Sequence, residues 1–311
     1  MKAVRIHKYG NADELLYEDA PMPTVKADDV LIKVVAASVN PVDWKIREGH
    51  LKEMVSYSMP VILGWDVSGV VKSVGKNVSK FKVGDAVFSR PDIKRNGTYA
   101  EFIAVKADEV TFKPKTISHI EAASLPLAGI TAWEALFTTA QLSANQKVLI
   151  HAGSGGVGSL AIQLAKSRGA YVIATTSAKN LAFVESLGAD EVIDYHNQRF
   201  EEIVKYVDVV FDTIGGEVQE NSWSVLKPDG ILVSIVSPPS EKLAAKHQVR
   251  SAFVFIEPNA EILMQMAELI DEGKVRPIIG AEFALADIAK AHALSESGHS
   301  VGKIVLYVGQ P

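Results

Sequence analysis

Short apolar runs separated by turn residues dominate the first 120 residues of the chain. The clearest runs, at residues 30–36, 67–74 and 99–105, are rich in valine and isoleucine. An Asn-Gly pair at 96–97 precedes the third run, and such pairs favour tight turns next to extended segments. This pattern predicts a β-rich region over residues 1–121.

Strand-like and helix-like segments alternate from residue 122 to residue 256. Apolar runs of strand length occur at 147–151, 171–176, 191–193, 207–212, 230–236 and 250–256. Residues 160–166 and 180–187 carry apolar positions at helical spacing, and Gly188 follows the second segment where a helix commonly ends. Apolar strands separated by helices are typical of a parallel sheet covered on both faces. We therefore predict a doubly wound α/β domain.

The C-terminal segment contains two helical patterns, at 260–270 and around 285–294, and a strand-like run at 302–308. Because the segment is too short for a core of its own, we expect it to complete the N-terminal region. The predicted domains are thus 1–121 with 257–311, and 122–256 between them.

The composition is that of an ordinary globular protein and disfavours several classes. Of 311 residues, 48% are hydrophobic and 22% are charged, and 32 basic against 37 acidic residues give a net charge of −5. That balance provides no broad attraction to nucleic acids or acidic membranes. The first residues lack the apolar core of a signal peptide, and no apolar run is long enough to span a bilayer. We expect a cytoplasmic protein that binds neither nucleic acid nor membrane.

A glycine-rich turn lies between the first strand and the first helix of the α/β region. It reads G-x-G-x-x-G and consists of Gly153, Ser154, Gly155, Gly156, Val157 and Gly158. In such a turn the first glycine permits a tight bend, the second leaves room for a pyrophosphate, and the third lets helix and strand pack closely. The N–H groups at the start of the helix can then bind phosphate oxygens. The motif and its context predict a bound dinucleotide.

The residues after the second strand distinguish the two nicotinamide dinucleotides. An acidic side chain about 20 positions after the glycines would bind the ribose 2′-hydroxyl of NAD, but residues 174–180 contain no acid. Ser177 can donate a hydrogen bond to a 2′-phosphate, and Lys179 supplies positive charge. In the structural alternative, Ser177 only caps the next helix and Lys179 is a solvated charge. We predict NADPH as the cofactor.

Cysteine is absent, which excludes disulfides, thiolate catalysis and every cysteine-based metal site. The eight histidines show no metal-ligand spacing. Asp43 and Asp66 can bind a metal in principle, but we expect Asp66 to form a hydrogen bond or ion pair in the core. No metal site is predicted.

The order of several short motifs resembles that of a known superfamily. The motifs are Asn40-Pro-Val-Asp43, Gly64-Trp-Asp-Val-Ser-Gly69, Val83-Gly-Asp85, Gly97-Thr-Tyr-Ala-Glu-Phe102 and residues 123–132. With the glycine turn, they make the chain similar over essentially its whole length to zinc-independent medium-chain dehydrogenases/reductases, of the quinone oxidoreductase or alkenal/enone reductase kind. This resemblance implies a GroES-like catalytic domain, built from both chain ends, and an inserted Rossmann domain. Zinc alcohol dehydrogenases of the superfamily carry a cysteine near Asn40 and a histidine where this chain has Trp65.

The resemblance also implies further cofactor and substrate contacts. Asn40 and Thr131 are expected near the nicotinamide, and Tyr195 matches a tyrosine that often flanks the 2′-phosphate. Ligands collect at the carboxyl ends of parallel strands, which adds Thr213, Ile214, Gly215, Ser234 and the backbone of Phe253 and Phe255. For each phenylalanine the alternative is plain core packing. Asp43, Tyr57 and Trp65 are expected to line the substrate pocket.

These features predict hydride transfer from NADPH to a quinone or an α,β-unsaturated carbonyl compound, without a metal. Negative charge then builds up on the acceptor oxygen, so the protein must align the reactants and stabilise that charge. Asn40 and Lys45 are the candidate catalytic residues, because the stretch Asn-Pro-Val-Asp-Trp-Lys also occurs in plant-type enone oxidoreductases. The alternative for Lys45 is a surface ion pair with Glu48.

Two other functions stay open at this point. A zinc alcohol dehydrogenase is disfavoured by the missing ligands. A non-catalytic NADPH-binding protein, crystallin-like or RNA-binding, is the alternative from another class, although no basic, aromatic-rich stretch suggests RNA. The resemblance further implies a homodimer, in which the edge strand near 250–256 pairs with its counterpart.

Overall fold

The structure is a computed structural model that describes residues 1–309, and it divides the chain into two compact units. Among the described residues, unit 1 contains 1–128, 257–273 and 277–309, and unit 2 contains 129–256 and 274–276. The predicted catalytic domain extended to residue 311, and residues 310 and 311 lie outside the described part.

The first boundary between the two units lies further along the chain than the predicted boundary at residue 121. The predicted boundary falls inside the helix His119–Ala123, whereas the division lies between Ala128 and Gly129, within the helix Pro126–Trp133. The reason is packing, since Ala123 and Leu127 both contact apolar cores of unit 1.

A seven-stranded sheet forms much of unit 1, and its central member is the long strand Asp29–Val39. Alternate residues of this strand, Val30, Ile32 and Val34, pack into one buried core. The strand pairs antiparallel with Val67–Val74, Phe102–Lys106 and Lys303–Tyr307. Since Lys303–Tyr307 comes last along the described chain, this pairing joins the C-terminal segment to the N-terminal one.

Unit 1 also contains further strands, four α-helices and three 3₁₀ turns within residues 1–309. The seven-stranded sheet also contains Ala86–Ser89, Val110–Phe112 and Ile279–Ala284, and a three-stranded sheet consists of Leu16–Asp19, Lys2–Ile6 and Val61–Ile62. The α-helices are Pro41–Arg47, His119–Ala123, Ala260–Asp271 and Ile288–Glu296, and the 3₁₀ turns are Ala12–Glu14, Ala107–Glu109 and Leu285–Asp287.

Six parallel strands form the sheet of unit 2. Their spatial order is Glu191–Asp194, Tyr171–Thr176, Lys147–Ile150, Val207–Asp212, Leu226–Ser234 and Arg250–Phe253. Numbered along the chain, this is the order 3-2-1-4-5-6 of a doubly wound Rossmann sheet. The predicted α/β class is confirmed.

The connections of unit 2 are mostly helical, as the apolar spacing indicated. The α-helices are Gly156–Ser167, Leu181–Ser186, Phe200–Ile203, Gly216–Ser222 and Glu241–His247. A π-helix spans Glu134–Thr139, and 3₁₀ turns span Ala178–Asn180 and Trp223–Val225. Gly188, with a φ of +101°, follows the helix Leu181–Ser186 in the left-handed conformation expected at such an end.

Two strands of unit 2 differ from the predicted runs. The predicted run 230–236 is the strand Leu226–Ser234, which includes a polar Lys-Pro-Asp stretch because Leu226 already pairs with Val207. The predicted run 250–256 stops at Phe253, because the neighbouring strand with which it pairs ends at Ser234. Within residues 1–309, no helix has the length and apolar character needed to cross a bilayer.

Candidate functional site

The glycine turn of unit 2 follows the strand Lys147–Ile150 and leads into the helix Gly156–Ser167. A Cβ on Gly153 would lie 3.0 Å from Cβ of Ala174, and one on Gly158 would lie 2.2 Å from the carbonyl oxygen of Ala152. Both glycines therefore permit close packing of the turn and the helix on the sheet. The left-handed residue of the turn is Ala152, with a φ of +51°, so Gly153 supplies space rather than the expected bend.

Gly155 has different surroundings from the other two glycines. A Cβ there would have only one atom within 4 Å, the carbonyl oxygen of Ala152 at 3.4 Å. Gly155 is the N-cap of the helix and makes no side-chain cap, and the first-turn N–H groups of Gly156, Val157 and Gly158 have no carbonyl partner within the helix. Open space next to free N–H groups at the positive end of a helix dipole fits the pyrophosphate of a dinucleotide.

The end of the strand Tyr171–Thr176 meets this turn through side chains. Ser154 Oγ accepts hydrogen bonds from Thr176 Oγ1 at 3.0 Å and from Asn180 Nδ2 at 3.2 Å. Asn180 also donates to Ser177 Oγ at 3.3 Å. The Ser177 side chain does not cap the 3₁₀ turn Ala178–Asn180, so the capping alternative is wrong and its O–H stays free to donate. Asn180 was missed by sequence reasoning, because it was assigned to the next helix.

Two further predicted residues lie beside this strand end. Lys179 is exposed, and Tyr195 is 52% exposed with its backbone N–H bonded to the carbonyl of Thr176 at 3.1 Å. The strands of Thr176 and Asp194 run in parallel register, which sets Tyr195 next to Ser177. A hydroxyl, an ammonium group and an aromatic ring thus occupy adjacent carboxyl strand ends.

The loop after the strand Val207–Asp212 is held by a buried carboxylate. Asp212 accepts hydrogen bonds from the N–H groups of Ile214 at 3.0 Å and Gly215 at 2.8 Å, and from Ser234 Oγ at 2.8 Å. Thr213 Oγ1 donates to the carbonyl of His151 at 2.9 Å. Ser234 is fully buried, so its prediction as a direct cofactor contact is wrong, and it orients Asp212 instead. Asp212 was missed, although an acid that ends an apolar strand is a visible signal.

The remaining predicted contacts of unit 2 differ in exposure. Phe253 is 39% exposed and Phe255 is 43% exposed, which rules out plain core packing for both. Thr131 is buried on the helix Pro126–Trp133. His151 has a structural role, with Nδ1 3.1 Å from Thr175 Oγ1 and Nε2 3.0 Å from Ser222 Oγ. Burial lowers the pKa of His151 to about 4, so the ring is neutral near pH 7.

Asn40 and Asp66 form the centre of a buried polar cluster in unit 1. Asn40 Nδ2 donates to Asp66 Oδ2 at 2.7 Å, and Ser38 Oγ donates to the same oxygen at 2.6 Å. Asp66 Oδ1 accepts from the N–H of Leu127 at 2.6 Å. Lys303 Nζ completes the cluster, 3.2 Å from Asp66 Oδ2. The expected core hydrogen bond or ion pair of Asp66 is present, whereas Lys303 was missed because nothing in its sequence context marks it.

A second buried chain of polar groups includes Asp43. Asp43 Oδ2 accepts from Tyr99 Oη at 2.6 Å and from the N–H of Asn40 at 2.8 Å. Tyr99 Oη lies 3.4 Å from His292 Nε2, and His292 Nδ1 lies 3.1 Å from Arg47 Nη1. Burial raises the pKa of the Asp43 carboxyl to about 7, against the lowering effect of its two hydrogen bonds. Burial, and then the charge of Arg47, lowers the pKa of His292 to about 3.

The structure corrects the predicted substrate pocket. Asp43 and Trp65 are fully buried, so they cannot line an open pocket. Tyr57 is half-buried, stacks on Trp65 with ring centres 6.4 Å apart, and donates from Oη to the carbonyl of Ile93 at 2.7 Å. Of the three, Tyr57 alone has exposed surface for a substrate.

Lys45 is half-buried on the helix Pro41–Arg47, and its Nζ lies 5.6 Å from the ring centre of Trp44. Glu48, its alternative partner, instead binds Arg47 at 2.7 Å. The surface ion pair is therefore wrong, and within residues 1–309 the Lys45 ammonium makes no salt bridge.

The residues around Asp66 do not fit a catalytic zinc ion. The chain has no cysteine, Trp65 has no metal-binding atom, and in residues 1–309 no three His, Asp or Glu side chains lie together as a ligand set. Both oxygens of Asp66 already accept hydrogen bonds.

Comparisons with known proteins agree with this architecture. Residues 26–115 match the alcohol dehydrogenase GroES-like domain, and residues 187–306 match the family described as zinc-binding dehydrogenase. The chain is 38% identical to the chloroplastic NADPH-dependent alkenal/one oxidoreductase of Arabidopsis thaliana, over 99% of this chain and 79% of that protein. The quinone oxidoreductase of Coxiella burnetii superposes with a TM-score of 0.92 at 37% identity, covering 99% of both chains. A structure described as an NAD-dependent alcohol dehydrogenase also has a TM-score of 0.92, at 29% identity over 99% of this chain and 100% of that one.

A GroES-like unit and a Rossmann unit in one chain define the class of protein. The chain belongs to the medium-chain dehydrogenase/reductase superfamily, and it is an oxidoreductase that uses a nicotinamide cofactor. The expected cytoplasmic location stays a prediction.

The open space at Gly155 predicts that a substitution there weakens cofactor binding without changing the stability of the fold. Gly155→Ala places its Cβ in that space without a clash, so we expect an unchanged Tm and at least a tenfold higher Kd for NADPH. Gly158→Ala is the matched control, because its Cβ clashes with Ala152 and should lower Tm instead. Fluorescence titration and thermal unfolding measure both quantities. Wild-type affinity in Gly155→Ala would show that no phosphate approaches this glycine.

The buried Asp43 carboxyl predicts a pH dependence of stability. Its pKa rises from an ordinary 3.8 to about 7 on folding, so the native state binds the proton more tightly and Asp43 destabilises the fold increasingly from about pH 4 to pH 7. Asp43→Asn keeps an acceptor for Tyr99 but does not ionise. The Tm of this variant, relative to wild type, is therefore expected to be higher at pH 8 than at pH 5. Equal differences at the two pH values would contradict the assignment, and Asp287→Asn, which changes an exposed ion pair, is the control.

Proposed function

We propose that this protein reduces quinones or α,β-unsaturated carbonyl compounds with NADPH, without a metal ion. One observation carries the proposal: the buried Asp66 carboxylate is bonded to Asn40, Ser38 and Lys303, and its chain neighbour is Trp65, which has no metal-binding atom. Alcohol oxidation in this superfamily needs a Lewis acid to hold an alkoxide. A conjugated acceptor needs only alignment with the cofactor and stabilisation of the charge on its oxygen.

Several groups of unit 2 support NADPH over NADH. When bound, the cofactor supplies the hydride. The strand end that would carry an acid for NAD instead has the free hydroxyl of Ser177, the ammonium group of Lys179 and the ring of Tyr195. These groups would bind the 2′-phosphate, and the first turn of the helix Gly156–Ser167 would bind the pyrophosphate. The name of the Arabidopsis relative, an NADPH-dependent oxidoreductase, agrees with this preference.

Unit 1 supplies the groups that would act on the acceptor. Lys45 has a half-buried ammonium without a salt bridge in residues 1–309, and we assign it to the acceptor oxygen or the nicotinamide ribose. We assign the amide of Asn40 to the nicotinamide. A proton for the reduced product can come from water, so no dedicated general acid is required.

The direct test follows NADPH and NADH oxidation with 1,4-benzoquinone, 9,10-phenanthrenequinone, a 2-alkenal and an exocyclic enone. We expect turnover with NADPH, and the preferred acceptor separates quinone from enone chemistry. Unchanged activity after dialysis against a chelator is expected for a metal-independent enzyme. NADPH binding without turnover on any acceptor would favour the non-catalytic alternative.

We also propose a homodimer formed by the strand Arg250–Phe253. This strand lies at the edge of the six-stranded sheet, so its outer N–H and C=O groups are available to the same strand of a second copy. Light scattering after size-exclusion chromatography gives the mass, and a monomer would contradict this assignment.

Lys179→Gln tests the 2′-phosphate site. Loss of the charge is expected to lower kcat/KM for NADPH by about tenfold, which equals about 1.4 kcal/mol, and to leave kcat/KM for NADH unchanged. Lys242→Gln removes another exposed lysine of unit 2 and is the control. An equal loss with both cofactors would show that Lys179 does not contact the 2′-phosphate.

Lys45→Met tests the acceptor site in steady-state kinetics. We expect kcat to fall by about tenfold or more, since a fixed positive charge near the developing oxyanion is lost. Lys52→Met, an exposed lysine shortly after the same helix, is expected to behave as wild type. Wild-type activity of Lys45→Met with every acceptor would contradict the proposed role of Lys45.

A further inference from the structure

Lys303 is an unusual lysine because its ammonium group is buried in the polar cluster of unit 1. The residue is 6% exposed. Its Nζ donates to the carbonyl of Val39 at 3.0 Å, to Asp66 Oδ2 at 3.2 Å and to Asn40 Oδ1. The three N–H groups of the ammonium therefore have three acceptors, and one of these acceptors is a full negative charge. A buried cation with this many partners is held in one position.

The same contacts fix the orientation of the Asn40 amide. Its Oδ1 faces the Lys303 ammonium and its Nδ2 faces the Asp66 carboxylate. Exchanging the two amide atoms would set N–H against a cation and oxygen against an anion, so only one orientation is stable. The second N–H of Nδ2 has no partner in residues 1–309, and it is the donor that Asn40, which keeps only 2% of its surface exposed, retains for the nicotinamide.

We propose that Lys303 is a positioning residue, whose ammonium group together with Asp66 sets the Asn40 amide for the reaction. The proposal rests on the proposed function, in which Asn40 contacts the nicotinamide. No bond is made or broken by Lys303, which acts only through Asn40.

A purely structural ion pair would show a different behaviour from a positioning residue. If Lys303 merely neutralised Asp66, removing both charges together would restore stability and activity alike. The double variant Lys303→Met/Asp66→Asn removes both charges and keeps an amide oxygen that can accept from Asn40 Nδ2, but Asn40 Oδ1 loses its cation. We therefore expect the double variant to regain most of the Tm lost in Lys303→Met, while kcat stays at least tenfold below wild type.

The kinetic test measures kcat, the KM of NADPH and the isotope effect with NADPH deuterated at C4 of the nicotinamide. Misalignment of the ring slows hydride transfer, so both Lys303 variants are expected to show a larger isotope effect and a nearly unchanged Kd for NADPH. Lys113→Met is the matched control, since Lys113 is a partly buried lysine of unit 1 that donates only to carbonyls, those of Pro114 and Ile117. It is expected to lower Tm without changing the isotope effect. Wild-type kcat in the double variant would overturn the proposal.

A spectroscopic test does not depend on turnover. In protein labelled with ¹⁵N-asparagine, the side-chain NH₂ of Asn40, assigned by its loss in Asn40→Asp, should give two sharp signals that exchange slowly with solvent. In Lys303→Met these signals should shift and exchange at least tenfold faster, and in Lys113→Met they should not. If they are unchanged in Lys303→Met, the positioning role is wrong. Absence of turnover in the wild type would instead refute the proposed function, and the NMR result would then decide on Lys303 by itself.

Discussion

The antiparallel pairing of the strand Lys303–Tyr307 with the central strand Asp29–Val39 is the contact on which unit 1 depends. The pairing places Ile304 opposite Val39. Because the strands are antiparallel, Lys303, which precedes Ile304, lies next to Asn40, which follows Val39. The N-terminal region therefore lacks both a strand of its sheet and the cation of its polar cluster until the C-terminal segment returns. The same pairing thus completes the sheet and brings Lys303 to the polar cluster.

Burial of charge explains why the cluster has this composition. Asp66 is fully buried and ionised groups lose hydration in the interior, so the carboxylate needs a cation and several hydrogen-bond donors. Lys303, Asn40, Ser38 and a backbone N–H supply them. Asp43 accepts two hydrogen bonds and makes no salt bridge within residues 1–309, and burial raises the pKa of its carboxyl to about 7. Of these two buried acids, only Asp66 has an ion-pair partner within residues 1–309.

Local patterns were sufficient for unit 2, where each strand and its following helix are adjacent in sequence. The glycine turn, Gly188 and four of the six apolar runs lie close to where the spacing predicted. The predicted strand bounds were wrong where pairing with a neighbouring strand determines where a strand begins or ends, as at Leu226 and Phe253. In the site, Ser177 was identified from the sequence, but its partner Asn180 and the buried acid Asp212 were not, because their roles depend on hydrogen bonds across the sheet.

The sequence by itself determined the α/β class, the dinucleotide turn and the lack of cysteine ligands, because each follows from residue types at short spacing. Tertiary structure alone decided which side chains are accessible and which charges meet. Trp65 and Asp43 were expected at a pocket and are buried, while Lys303 was expected nowhere and contacts Asn40. Contacts between residues about 260 positions apart leave no periodic trace in a sequence, since they depend on how sheets assemble rather than on neighbours along the chain.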